Sequence, residues 1–590
     1  MASELNGNHV LSKMFHRSVR YSFFGFFTVM LNTAVDGLMI GHFLGVAAMA
    51  AFGLIVPLYS FINIVPVLLR SVAQLNIGED LGHGKLETAQ CRVFQLLFTG
   101  LVAAIVFILL FTVFRSLSVA LLCSFSSHSD DTIKMAEDYL LWMAPSMVPV
   151  MMTPALHPVM QLDGDARRSP LAIYIATAVN ILGDILNVKL FHGGMAGMAA
   201  ATTISCYVEL LVLLLHYARK TSQLKPSPCL WLRMGWFKAL SKGIPVMLHE
   251  LTVFLAGIAI NHIAFMFAGE NLVSAVAAGN SVFAILLPGS LAVSGAVMTL
   301  GSVARGEADH KGVRSMLRMG LWYALVPCSI YATIFMISAV PLARFFYGEN
   351  EQLMKMSAAI IRGFAISFPL VAMCQIIESY LNVFGKRWLS AIVSILEGGV
   401  AWIIFSGLLK HVQPPDRIWL GHLIGELVLV CVMAVILLFC RNRTRQKESL
   451  PDRENDTVEL ETTVHTFAEA TVFSESVRKN CLNHGISSRI SMLSALCAEE
   501  IACNTLRWGF SEKAYCAVDV RAVCRNGQII IRFRDSGKRF NPKSYISQVL
   551  DYDKNQGGNI GLRLISGITS EMQYMCIMDC NILLIHISFQ

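Results

Sequence analysis

The chain has 590 residues, 55% of them hydrophobic and only 15% charged, with a mean hydropathy of +0.57. A water-soluble protein of this length needs far more charge to cover its surface, so a soluble enzyme or a disordered chain is excluded. The formal charge of +7 follows the loops between apolar runs, so no nucleic-acid partner is read from it.

The apolar residues fall in runs of about 20, the length at which a helix crosses the hydrocarbon core. Twelve such runs are expected near 20–42, 47–72, 91–114, 138–160, 169–191, 195–217, 240–267, 272–300, 318–340, 357–383, 388–409 and 417–440. The first 20 residues carry no cleavable signal pattern, because their apolar run continues into the first span. Lys and Arg gather in alternate connections: Lys13, Arg17 and Arg20; Lys85 and Arg92; Arg167 and Arg168; Arg219, Lys220, Lys225 and Arg233; Arg305, Lys311 and Arg314; Lys386 and Arg387; then RNRTRQK after Cys440. The positive-inside rule makes these connections cytoplasmic, so the expectation is a multi-pass plasma (inner) membrane protein with both termini in the cytoplasm. The fifteen cysteines show no metal-ligand spacing and are read as free thiols.

The membrane part, 1–440, is internally duplicated. AAMAAFG (47–53) returns as VSAVAAG (273–279), GHGKLETAQCR (82–92) resembles GEADHKGVRSMLR (306–318), and GDARRSP (164–170) matches the place of GKRWLSA (385–391). Six helices per half means that both halves enter from one side. The fold class expected is an all-α polytopic membrane protein, its twelve helices forming two six-helix parallel repeats (about 15–220 and 235–440) around a central cavity. The segment 441–463 is charged and poor in apolar residues, a linker. From 464 to 590 the pattern changes to a soluble α/β domain, with helices at 473–483 and 488–507 and strands at YCAVDVRAV, QIIIRFRD, YMCIM and ILLIHISF.

Carboxylates inside spans are costly, by about 2.5–3.5 kcal/mol at a helix centre, and mark ion or substrate paths. Asp36 lies in the first span and Asp184 in the fifth, with Asn180 one turn before Asp184 on the same face. Glu250 opens the seventh, and Glu397 lies in the eleventh before two glycines. A desolvated carboxylate holds its proton to higher pH than one in water, and two carboxylates with an amide could equally ligate Na⁺.

The strings AVDGLMIGHFLG and GDARRSPLAIYIATAVNILGDILNVKLFHGGMAGMAAATTIS resemble the multidrug and toxic compound extrusion (MATE) family over roughly 15–440. The resemblance implies a secondary antiporter exporting organic, often cationic, compounds against H⁺ or Na⁺. It assigns Asp36, Asn180 and Asp184 to cation coupling, with Glu250 similar to a glutamate of the family's seventh helix. No aspartate occupies the place in span ten where some members carry one; Glu378 stands near that span's end.

In the tail, Glu500 and Asn504 share a helix face, a strand ends in D-x-G at Asp535 and Gly537, and QGGNIGLRLI leads from glycines into a helix. This order is similar to the GHKL ATPase fold in its anti-sigma-factor-like branch. The resemblance implies ATP and Mg²⁺ as ligands. Asn504 would hold Mg²⁺, Glu500 would act as the catalytic base, Asp535 and Gly537 would read adenine, and Gly557, Gly558 and Gly561 would face phosphates. Trp508 stands where many such domains have histidine. It also implies a cytoplasmic anti-sigma-antagonist-like partner. Whether the tail hydrolyses ATP or phosphorylates a partner stays open. The alternatives are a membrane-tethered Ser/Thr kinase or switch and a flippase for a lipid-linked substrate.

Overall fold

A computed structural model describes residues 9–123, 130–219, 222–229, 235–348, 350–409, 418–448, 459–510, 516–525, 527–542, 565 and 567–589. The chain forms two compact units, one of Ser18–Met160 with Arg167–Cys440, the other of Met1–Arg17, Gln161–Ala166 and Arg441–Gln590.

In the first unit, eleven helices among the described residues are long and apolar enough to cross a membrane. They are α1 (His9–Leu44), α2 (Ala47–Gly82), α3 (Leu86–Val113), α4 (Asp130–Leu162), α5 (Arg168–Phe191), α6 (Gly194–Leu214), α7 (Ile244–Gly306), α8 (His310–Ile337), α9 (Glu351–Val383), α10 (Arg387–Leu409) and α11, which runs as helix over Trp419–Glu448. The expected twelve become eleven at α7, whose 63 residues would extend about 95 Å as one straight helix, three times the hydrocarbon thickness. Ala268 (φ −150°) and Gly269 (φ 65°) break its helical backbone, at the place where the seventh and eighth runs are expected to part.

Membrane-facing surfaces follow from composition. On α3, Leu101, Val102, Ile105, Val106 and Leu109 are all exposed, a row of apolar groups that only lipid can cover. The repeat is visible in the backbone. Left-handed residues recur about 220 positions apart, Gly45 with Gly269, Gly84 with Ala308 and Gly164 with Gly385. The matching turns are also bonded alike: Lys85 N donates to Asp80 O at 2.8 Å and Asp309 N to Ala304 O at 2.8 Å.

The halves meet where equivalent helix ends cross. A Cβ on Gly82 would collide with the Val303 carbonyl, and one on Gly306 with the Glu79 carbonyl, with each glycine's Cα 2.8 Å from the other's added carbon. Ser302 Oγ donates across the same contact to Gln74 O at 2.6 Å. Gly78/Gly82 and Ser302/Gly306 are therefore small-xxx-small pairs that let two backbones touch in a solvent without a hydrophobic effect.

One cysteine pair corrects the free-thiol expectation: Cys91 and Cys229 are disulfide-bonded. Their separation of 138 residues hides the pairing from any spacing motif. The chain around Cys229 lies along the start of α3, with Gln90 Nε2 donating to Gln223 O at 2.7 Å.

In the second unit, a five-stranded antiparallel sheet has the order β1-β2-β3-β5-β4, from β1 (Glu459–Val464), β2 (Val518–Arg525), β3 (Gln528–Asp535), β4 (Glu571–Ile577) and β5 (Cys580–Ser588). Helices α12 (Phe467–Asn483) and α13 (Ser488–Trp508) pack on it through Phe473, Val477, Ile501, Ile531, Phe533 and Ile585. Strand β1 falls where a linker is expected, because ELETTV is acidic; its Glu461 is neutralised by buried Arg532 of β3 at 3.0 Å. The α11 helix also continues to Glu448, so helix and strand together occupy most of 441–463. This unit takes in two short segments expected in the membrane part. Val10 N donates to buried Asp519 Oδ2 (2.8 Å), Arg17 pairs with Asp579 (3.5 Å), and Met578 N donates to Gln161 O (2.9 Å).

Replacing Gly82 or Gly306 with leucine should overpack the crossing by about 1–3 kcal/mol. A lower melting temperature in detergent checks this, against Gly37→Ala, which opens onto empty space and should leave melting unchanged.

Candidate functional site

Helices α1 and α5 each carry the string Asn-x-x-x-Asp, Asn32 to Asp36 and Asn180 to Asp184. Four residues is one helical turn, so each amide sits beside its own carboxylate. The two helices then interlock these pairs. Asn32 Nδ2 donates to Asn180 Oδ1 at 2.9 Å and lies 3.4 Å from Asp36 Oδ2, while Asn180 Nδ2 donates to Asp184 Oδ2 at 3.3 Å. Asp184 and Asn180 are buried, and Asp36 and Asn32 half-buried. The structure thus brings Asp36, Asn180 and Asp184 into one cluster and adds Asn32. The signal for Asn32, the repeated Asn-x-x-x-Asp spacing, is present in the sequence.

Three buried oxygens of this cluster, Asn32 Oδ1, Asp36 Oδ1 and Asp184 Oδ1, accept no hydrogen bond among the described residues. Two adjacent carboxylates in a low-dielectric setting cannot both stay charged without a proton or a cation between them. Oxygen-only donors are also the set that hard cations take. Tyr59 and Tyr139, joined hydroxyl to hydroxyl at 2.9 Å, stand within electrostatic reach of Asp36.

Glu250 does not join the aspartates. It lies instead among His249, Glu397 and Arg70. There His249 Nδ1 is 2.5 Å from Glu397 Oε2, Gln375 Nε2 donates to Glu397 Oε1 at 3.1 Å, and Ser394 Oγ donates to Glu378 Oε1 at 2.5 Å. His249 and Gln375 have no signal in the sequence beyond being polar within a span. In the first half, His157 pairs with Glu209 at 2.9 Å and with Ser169 Oγ at 2.9 Å, a polar contact that packs α4, α5 and α6.

The tail holds a cavity of about 430 Å³ whose walls include Asn504, Trp508, Asp535, Phe540, Tyr574 and Asn581. Asn504 Nδ2 donates to Glu500 Oε1 at 2.9 Å. Asp535 Oδ1 accepts from Gly537 N and from Asn581 Nδ2, each at 2.8 Å. Burial pushes the Asp535 carboxyl above its ordinary range, opposed by those two donors. Gly537 is required by space, since a Cβ there would run into the Gly509 carbonyl. Asn581 and Tyr574 give no sign of a role in the sequence; they come from β5 and β4, far along the chain from the D-x-G turn. Gly557, Gly558 and Gly561 lie outside the described residues.

The chain matches the MatE family over residues 22–186 and 245–406, more than half its length and one segment in each repeat. It is 21% identical over 403 residues to a probable multidrug resistance protein, YoeA, of Bacillus subtilis, covering 66% of this chain and 85% of that one. It is 25% identical over 159 residues to the multidrug resistance protein PmpM of Pseudomonas aeruginosa, covering 26% and 32%. Among solved structures, an aspartate-to-asparagine mutant of the Vibrio cholerae MATE transporter VcmN superposes with a TM-score of 0.66 at 21% identity, over 73% of this chain and 96% of that one. A MOP-superfamily transporter from Pyrococcus furiosus gives 0.66 at 19% identity, over 74% and 97%. The family match ends at residue 406, before the tail. With a family match in both halves, two lobes that repeat each other's turns and a carboxylate cluster inside one of them, the chain belongs to the MatE family of multi-pass efflux transporters.

Proposed function

We propose that the chain is a secondary antiporter that exports organic cations in exchange for H⁺ or Na⁺, with both termini cytoplasmic and the tail as an ATP-responsive regulatory domain. The observation that carries the transport reading is the cluster of Asp36 and Asp184 held by Asn32 and Asn180. Its unsatisfied oxygens suit a small cation, and releasing that cation changes the charge of one lobe, which is what a coupled conformational step needs. The names of the relatives, multidrug resistance proteins, support drug-like substrates. The Lys/Arg placement supports the orientation.

For the tail, the cavity fits the base-binding half of a nucleotide site, with Asp535 positioned by Asn581 and Gly537 as an acceptor for an adenine amino group. Glu500 and Asn504 form the paired acid and amide that Mg²⁺ binding would use. Bound Mg·ATP would supply a phosphoryl group; the chain's own part is to seat the base and orient the Glu500 carboxylate. That pair also favours the second reading, a membrane-tethered kinase acting on an anti-sigma-antagonist-like protein.

Proteoliposomes loaded with a fluorescent cation should lose dye under an imposed H⁺ or Na⁺ gradient, and Asp184→Asn should slow this at least about tenfold. Wild type inert under both gradients, or a mutant matching wild type, defeats the coupling assignment. Asn32→Leu removes the 2.9 Å bond to the Asn180 amide that joins the two helices, together with a spare ligand oxygen, and a neutral hydrogen bond of about 0.5–1.5 kcal/mol corresponds to roughly a 2- to 10-fold weaker hold on Na⁺ as the coupling ion. The ion concentration giving half-maximal efflux should rise accordingly. In the tail, Asp535→Asn should weaken binding of a fluorescent ATP analogue to the full chain by about tenfold or more. Equal binding by mutant and wild type removes the nucleotide reading while leaving transport untouched.

A further inference from the structure

We propose that His249, Glu378 and Glu397 form a binding site for one divalent transition-metal ion of the zinc class, inside the helix bundle of the second repeat. The three residues come from α7, α9 and α10, and each offers one ligand atom, all within 4.8 Å of one another. Zinc ligands at about 2.0–2.2 Å lie roughly 3.5 Å apart, so closing this set on an ion takes only side-chain adjustment. Glu378 and Glu397 are more than nine-tenths buried.

Each carboxylate is aimed by a neighbour. Gln375 Nε2 holds one oxygen of Glu397 and leaves Oε2 facing the imidazole, and Ser394 Oγ holds Glu378. Such outer partners are what metal ligands ordinarily have. The backbone is also bent to the purpose. Glu397 sits in a π-helical turn, Leu396–Val400, with Gly399 at φ 124°. A Cβ on Gly399 would strike Ala256 Cβ and one on Gly398 would come within 2.9 Å of the His249 carbonyl, so both glycines press this turn onto α7. A π-turn interrupts regular bonding and is frequent where a helix presents a functional group.

The groups around the set are acidic. Glu250, Glu378, Glu397 and Glu426 all act electrostatically on or through His249. The nearby fixed cation, Arg70, acts on Glu250. Four carboxyl groups surround one imidazole there, and a metal ion would bind by displacing the protons that these groups hold. Two buried acceptors stand unused beside the set: among the described residues, Gln375 Oε1 and Glu426 Oε2 accept no hydrogen bond, which leaves oxygens for a fourth ligand. The imidazole decides for the class of ion. Na⁺, Mg²⁺ and Ca²⁺ favour oxygen donors, whereas a neutral imidazole with carboxylates suits Zn²⁺ and its neighbours. This site uses none of the residues on which the antiporter reading rests.

The test uses tag-free, chelator-treated full-length protein in detergent, dialysed against Zn²⁺ and, as a spectroscopic probe, Co²⁺. Wild type should retain one equivalent, with the visible absorption of four-coordinate Co²⁺. His249→Ala and Glu397→Gln should lose that retention, and Ser394→Ala, which keeps every ligand, should weaken it about 10- to 100-fold. Asp184→Asn should bind as wild type does while failing in efflux. The proposal is overturned if wild type retains no ion at sub-millimolar Zn²⁺. It is equally overturned if correctly folded His249→Ala and Ser394→Ala, judged by gel filtration, bind as wild type does.

Discussion

A carboxylate in the hydrocarbon layer has to be answered by its neighbours, and the arrangement of α1 and α5 follows from that requirement. Neither Asp36 nor Asp184 has a basic side chain within a turn on its own helix, and each is served instead by an asparagine one turn earlier. The two asparagines then bond to each other across the helices (2.9 Å). This closes a four-residue network set by the 3.6-residue period within each helix and by the packing of α1 against α5. The network uses both ends of the Asn180 amide but one atom of each of the other three groups, which leaves three oxygens over. On the antiporter reading proposed above, those three oxygens are the ones a coupling cation would take.

The duplicated frame does not carry duplicated chemistry. About 220 residues after Asn32 and Asp36 stand Ala256 and Ile260, both buried in apolar packing; the counterparts of Asn180 and Asp184 are Ala401 and Phe405. The polar groups of the second half occupy other positions, at His249, Glu378 and Glu397, around a π-turn. What the halves share is backbone: the left-handed turns, the turn hydrogen bonds, and the glycines at which α2 and α7 touch. Packing at a pseudo-symmetry axis constrains both copies equally, because a side chain on either glycine strikes the other helix. Lobe interiors carry no such mutual constraint, so their polar residues could diverge.

The membrane fold is legible because its signals are long-range in composition and short-range in geometry. Apolar runs locate spans, and repeated Gly-containing turns locate the halves. At α7 two expected spans follow each other with no connecting loop, and the non-helical angles at Ala268 and Gly269 mark where they part. Asp36, Asn180 and Asp184 stand out as polar residues in apolar runs. Asn32 is equally visible through its spacing, but an uncharged amide draws no notice until its partner helix is known. His249 and Gln375 are not legible at all, since their importance comes from Glu397 on another helix. In the tail, strand β1 is hidden by its acidic residues, whose partner Arg532 lies two strands away. Asn581 becomes part of the cavity only through the pairing of Asp535 with Asn581 in the β3–β5 register.

The tail makes a parallel physical point about buried carboxylates. Asp535 is as desolvated as a membrane aspartate, yet one of its oxygens is doubly donated to, by Gly537 and Asn581, and Asn581 is itself fixed by the Tyr574 hydroxyl at 2.6 Å. Such a group is held rigid, as the proposed recognition of a base would require. The membrane aspartates are held by longer contacts, 3.3 and 3.4 Å, and the donor to Asp36 is shared with Asn180. On the antiporter reading, loose donors would let the network rearrange when a cation arrives or leaves. A recognition site gains from rigidity, whereas a coupling site must have two states of similar energy. On the readings proposed for the two parts of the chain, the same residue type would serve both, and the number and tightness of its hydrogen-bond donors would separate the two roles.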